Sequence, residues 1–191
     1  MKKKKRGIDK RIQKIFGIVC LSFLLGTAGG ALAANLLSVG EQASLSAFLQ
    51  DALENGRETT FLSIFWKYFK YDLMIWMGGW MSFGLFFSGA AFLFRSISVG
   101  FTSAVMMTTY GAKGVFMTLT NCLPQNLLLI PTYIFIMSAA AYYLLSWQEG
   151  GGKRALKRER RRKQTEYCIL FAFSVILLAA ASGVEWGLLL I

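Results

Sequence analysis

An all-α polytopic membrane protein with five transmembrane helices is the architecture this sequence predicts, and three observations predict it. The 191 residues are 55% hydrophobic and 15% aromatic, and several apolar runs exceed the roughly 20 residues needed to cross a hydrocarbon core. The net charge of +11 is concentrated in two runs. Residues 1–14 hold eight basic residues against one acid, Asp9, and residues 153–163 hold eight against Glu159. Residues 38–72, by contrast, hold five acids and three cations. Both prolines, Pro124 and Pro131, lie inside one long apolar stretch beside the amides Gln125 and Asn126. At membrane depth every backbone polar group needs an internal partner, so such a stretch must face protein or a cavity.

The basic runs flank apolar segments, so the positive-inside rule explains them better than nucleic-acid binding does. They also imply contact with anionic lipid headgroups. The N-terminus and the loop 148–166 then lie in the cytoplasm, and the acidic stretch 38–72 lies outside.

The first span is expected over residues 15–37, after a basic cytoplasmic segment of residues 1–14; residues 15–191 form one membrane domain. Ala31-Leu32-Ala33 resembles a signal-peptidase site before Ala34. The apolar run is longer than a usual signal segment, and Gly26, Gly29, Gly30 and Ala34 suit helix packing, so a retained helix is the expectation. Ser38-x-x-Glu41 is a capping-box pattern. After it Leu45, Phe48, Leu49, Ala52 and Leu53 share one helical face. This amphipathic helix either lies on the outer membrane surface or packs on the protein's own bundle. Phe61, Phe65, Trp66, Tyr68, Phe69 and Tyr71 read as an aromatic belt at the outer interface.

The second span is placed at residues 73–94, ending at Arg95 on the cytoplasmic side. Its Gly78, Gly79, Ser82, Gly84, Ser88 and Gly89 predict a close helix–helix contact. The third is placed at residues 97–110, rich in small polar residues, with a turn at Gly111-Ala112-Lys113-Gly114. The fourth covers residues 115–147, too long for one straight crossing. A helix up to Leu123, a break at Pro124-Gln125-Asn126 and a longer helix to Leu145 are expected, with the first part either re-entrant or half of a kinked span. Gly150-Gly151-Gly152 opens the basic cytoplasmic loop. The fifth span, residues 167–191, carries Glu185 and leaves the C-terminus outside. No internal repeat of the inverted-transporter kind is visible.

Little in the chain supports catalysis. It holds no histidine, which removes the usual general base near neutral pH and the commonest metal ligand. Cys20, Cys122 and Cys168 lack C-x-x-C spacing and read as buried inert thiols. No nucleophile–base, Walker or H-E-x-x-H motif is present. Asp72 and Glu185 stand at expected span ends, where acids are usually solvated. No enzyme activity, metal or cofactor is expected.

The run Leu123-Pro124-Gln125-Asn126-Leu127-Leu128-Leu129-Ile130-Pro131 resembles the central signature of the stage II sporulation protein M family of endospore-forming bacteria. Val99-Gly100-Phe101-Thr102 resembles a second family motif. Gly26-x-x-x-Gly30-x-x-x-x-Asn35 and Ser182-Gly183-x-Glu185 are similar to others, in the same order. The chain departs from the pattern at Ser96, where a glycine is expected. Gln125 replaces a histidine common in related non-sporulation proteins. The resemblance implies a five-span protein of the cytoplasmic membrane, in the mother-cell septal and engulfing membrane. It implies a non-enzymatic scaffold for septal peptidoglycan remodelling, which anchors stage II sporulation proteins D and P during forespore engulfment. Leu45, Phe48, Leu49 and Leu53 would then belong to the docking face. On this reading Gln125 or Asn126 satisfies carbonyls freed at Pro124. A transporter or channel subunit, with the broken helix lining a pathway, is the alternative.

Overall fold

The computed structural model describes residues 2–37, 60–81, 83–117, 123–148 and 155–189, together with residues 40, 41, 44, 45 and 47. Among these every regular element is an α-helix: α1 (Lys2–Asn35), α2 (Phe61–Gly78), α3 (Gly84–Tyr110), the short α4 (Ala112–Met117), α5 (Leu123–Gln148) and α6 (Ala155–Leu189). Helices are what an apolar chain must form in lipid, because each satisfies its own backbone donors and acceptors. Among the described residues four stretches are long and apolar enough to cross a membrane: Lys10–Asn35, Gly84–Tyr110, Gln125–Ser146 and Arg161–Gly187. The fifth long helix, α2, has 18 residues and carries Lys67, Lys70 and Asp72.

The helices alternate in direction. Phe23 meets Phe92 (centroids 5.9 Å apart), and Gly26 and Gly30 meet Ser96 and Ile97 further along, so α1 and α3 run parallel. Helices α2 and α3 form an antiparallel hairpin. Tyr143 stacks on Tyr167 at 4.6 Å and Phe135 meets Phe173 at 6.0 Å, so α5 and α6 are antiparallel. One end of the bundle therefore gathers the start of α1, the α2–α3 turn, the end of α5 and the start of α6. Both basic runs adjoin that end. The core is built from Ile64, Tyr68, Ile75, Phe92, Leu129, Tyr133, Ile136 and Leu178, with Val19 and Phe23 of α1.

Two sequence expectations change here. The span placed at residues 73–94 is divided between two helices, with a turn through Gly79 and Trp80. Its small residues serve that turn as well as the helix contact. A Cβ on Gly84 would lie 1.4 Å from the carbonyl oxygen of Gly78, and one on Gly78 would lie 2.0 Å from Ser88 Oγ. Ser88 donates to the carbonyl of Ile75 at 2.7 Å and is fully buried. Ser82 lies outside the described residues. Residues 97–110, expected as a separate span, continue α3, so Arg95 stands mid-helix and not at a cytoplasmic boundary.

The second change concerns Pro124. Helix α5 is continuous from Leu123 through Gln125 and Asn126 to Gln148, so the expected break there is not found within it. Pro124 falls in the first turn of the described helix, a position proline tolerates. Pro131 is the proline inside the helix. It is exposed, and the Thr132 hydroxyl donates to the Leu128 carbonyl at 2.7 Å. Residues 118–122, the end of the expected preceding half-helix, lie outside the described residues. At Gly111 the backbone takes φ +54°, a conformation that favours glycine, and it ends α3 with its N–H on the Met107 carbonyl.

Gly84→Ala should destabilise the protein by about 1–3 kcal/mol, the usual range for overpacking. Gly89→Ala should be near neutral, since the nearest atom to its added carbon is Met137 Cε at 4.0 Å. Thermal unfolding of the two purified variants in the same detergent checks this.

Candidate functional site

Two of the stretches singled out in the sequence meet in space. A Cβ on Gly26 would lie 2.1 Å from Ser96 Oγ; on Gly30, 2.1 Å from the Ile97 carbonyl oxygen and 2.9 Å from the Phe101 nitrogen; on Gly100, 1.9 Å from the Thr27 carbonyl oxygen. Helices α1 and α3 thus cross in backbone contact, with Gly26-x-x-x-Gly30 facing Ser96-x-x-x-Gly100. Lipid tails are as apolar as leucine, so helices in a bilayer associate through such small residues. Ser96 does not prevent the approach. It is fully buried, its hydroxyl donates to the Leu93 carbonyl at 2.9 Å, and Gly26 provides the space opposite. Gly29, next to Gly30, faces nothing within 4 Å.

A second cluster lies between α2, α3, α5 and α6. Tyr68 donates to Glu185 Oε2 at 2.5 Å. Tyr133 donates to the Tyr68 carbonyl at 3.1 Å. The Arg95 guanidinium lies over both rings, 5.3 Å from Tyr68 and 5.7 Å from Tyr133, and its Nε is buried without a hydrogen-bond partner. Lys67 Nζ approaches Glu185 Oε1 at 3.8 Å. Glu185 thereby joins α6 to α2, and its side chain is 16% exposed.

Sequence reasoning missed Asp72 and Arg95. Asp72 was expected as a solvated boundary residue. It is fully buried, accepts from Ser174 Oγ at 2.7 Å through Oδ2, and leaves Oδ1 without a partner. The misplacement follows from the span boundary: with α2 starting at Phe61, Asp72 falls within a helix. The signal was present in the aromatic residues. Phe61, Phe65 and Phe69 recur every four residues, which is helical spacing. They stack along α2, with centroids 6.3 and 5.4 Å apart. The stripe continues onto α6 through Phe69–Phe171 and Trp76–Phe171. Those rings are therefore a helix–helix seam and not only an interfacial belt. At the opposite end Tyr167 donates to the Trp76 carbonyl at 2.9 Å, filling the space over Gly79.

The other expected site residues are placed as follows. Gln125 and Asn126 are half-buried on the first turn of α5, and Gln125 Oε1 is buried without a hydrogen-bond partner. Because α5 is unbroken there, the expected carbonyl-satisfying role of the amides at a Pro124 break is not seen. Leu45 is helical and half-buried; Phe48, Leu49 and Leu53 lie outside the described residues, as does Cys122. Cys20 and Cys168 are free thiols. No group of three metal-ligating side chains occurs among the described residues.

Gly30→Leu should separate α1 from α3, whereas Gly29→Leu should leave them in contact. A cysteine pair placed at Phe23 and Phe92 in each background, oxidised in native membranes, checks this. Cross-linking should be lost in the first background and kept in the second.

No curated protein and no solved structure matches the chain. A family model, described as stage II sporulation protein M, matches residues 19–185. That match begins within α1 and takes in both glycine motifs, α5 and Glu185. The chain belongs to the stage II sporulation protein M (SpoIIM) family.

Proposed function

We propose that the chain is a non-enzymatic membrane scaffold, which anchors and positions peptidoglycan-degrading partners during forespore engulfment. The observation that carries this reading is where the family-like residues fall. Gly26, Gly30 and Gly100 hold α1 on α3, and Glu185 holds α6 on α2. These residues serve the shape of the bundle. A rigid bundle presenting an outer loop is what an anchoring role needs.

Five crossings, with the N-terminus inside and the C-terminus outside, are part of the proposal. They are supported by the alternating directions of α1, α2, α3, α5 and α6 and by the basic runs adjoining one end. Helix α2 is then the fifth crossing. Its length of about 27 Å, at 1.5 Å per residue, comes close to the hydrocarbon thickness. Its Asp72 is enclosed by Ser174 of α6. The segment from residue 38 to the start of α2 then lies outside, and the docking face includes Leu45 and, by sequence, Phe48, Leu49 and Leu53. The partners fitting this face are stage II sporulation proteins D and P, as the family resemblance implies, and the site of action is the septal and engulfing membrane of the mother cell.

The intramembrane Asp72 and Arg95 favour a second reading, a transporter or channel subunit, because ionisable residues at such depth often line pathways.

Deletion of the gene in the source organism, followed by starvation and membrane-dye imaging, tests the two. The scaffold reading predicts that septa form, that membranes fail to migrate around the forespore, and that the wild-type gene restores migration. Normal engulfment in the deletion strain would overturn it and place the transport reading first.

A further inference from the structure

A groove of about 390 Å³ runs between α1, α5 and α6, lined by Ile12, Phe16, Phe135, Ala139, Tyr142 and Leu170. Its walls are almost wholly apolar, and Ile12 and Phe16 are about half exposed. Ala139, Tyr142 and Leu170 are shared with a smaller pocket of about 70 Å³, whose further lining combines Tyr143 and Tyr167 with Ser146, Lys163 and Glu166. The larger groove is thus apolar along its length and reaches a smaller pocket that holds Lys163 at the basic end of the bundle. Lys10 and Lys14 are exposed on α1 beside Ile12 and Phe16. Glu166 is paired with Arg162 at 2.9 Å, so its charge is offset locally.

We propose that this groove is a binding site for an anionic glycerophospholipid of the cytoplasmic leaflet, with one acyl chain in the groove and the phosphate at Lys163. Three features select this occupant over a peptide or a second copy of the chain. Apart from Gln13 and from Ser138, whose hydroxyl already donates to the Ile134 carbonyl, the groove walls are apolar, which suits an acyl chain and not a peptide backbone. The volume lies near the lower bound of small-ligand sites, enough for one chain and too little for a helix. The charge at the open end is positive, as a phosphodiester requires, and basic pockets between spans on the cytoplasmic side suit acidic headgroups. The site would tie the first and last spans through a lipid where they meet α5. It rests on the proposed orientation, with the basic end inside, and is independent of the scaffold role, since it uses neither the outer face nor any partner.

Photo-crosslinking of the purified full chain in nanodiscs tests this. The probe is phosphatidylglycerol with a diazirine in one acyl chain, competed with unlabelled phosphatidylglycerol or phosphatidylcholine. Labelled peptides should concentrate on residues 12–16, 135–142 and 170. Unlabelled phosphatidylglycerol should compete about fivefold better than phosphatidylcholine, the preference expected for one basic residue near a headgroup. Lys163→Gln, a half-buried residue near the interface whose loss should not prevent folding, should abolish that preference and leave labelling of the groove in place. Ala139→Phe should lower groove labelling severalfold, and labelling at Leu24 and Ile176, both exposed on other faces, serves as the reference in every sample. Labelling spread evenly over Leu24, Ile176 and the groove would overturn the proposal, as would equal competition by the two lipids or a Lys163→Gln protein that keeps the preference.

Discussion

The bundle depends on the backbone contact between α1 and α3. In water two helices are driven together by the apolar surface they remove from solvent. In lipid that drive is absent, and only close packing and hydrogen bonding remain. Gly30 and Gly100 supply the first by letting carbonyl oxygens come where a side chain would otherwise stand, and Gly26 by admitting the Ser96 hydroxyl. Once α1 lies on α3, Phe23 reaches Phe92 and Val19 joins the common core. The hairpin to α2 is fixed from the other side by Gly78, Gly84 and Ser88, so α3 is held by close approaches on both faces.

The second kind of force acts on the far side of α2. Tyr68, Tyr133, Ser174 and Glu185 connect three helices through hydrogen bonds. Such bonds average about 0.6 kcal/mol each in a membrane bundle. Their value here is in direction as much as in strength, because a tyrosine hydroxyl that must meet one carboxylate fixes the register of α2 on α6. Arg95 lies against the faces of Tyr68 and Tyr133, an arrangement in which a ring quadrupole partly replaces hydration. The expectation that Arg95 marks the end of a span therefore does not hold.

Much of this was legible in the sequence, and the parts that were not have physical causes. The helical membrane class, the two basic runs and the packing role of Gly26 and Gly30 follow from composition and spacing, whereas Gly29, expected to pack with them, faces nothing within 4 Å and the contact made by Gly100 was not foreseen. The boundaries of the middle helices do not. Hydropathy alone joins residues 73–94 into one apolar run, because a turn made of Gly79, Trp80 and Met81 is as apolar as the helices beside it. Only the steric relation of Gly78 to Gly84 reveals the hairpin. Asp72 and Arg95 were misplaced by the same error. Pro124 carries an ambiguity that sequence cannot lift, since a proline either ends a helix or begins one. Here α5 runs unbroken from Leu123 through Pro124 to Gln148.

The central claim is that the bundle exists to present an outer face to cell-wall-degrading partners. A photoreactive amino acid placed at Leu45, and in a parallel strain at Lys157 in the second basic run, measures this directly in sporulating cells. The account predicts that Leu45 captures a peptidoglycan-degrading enzyme and that Lys157 captures none. Capture of such an enzyme from Lys157 alone, or from neither position while engulfment proceeds, would contradict it.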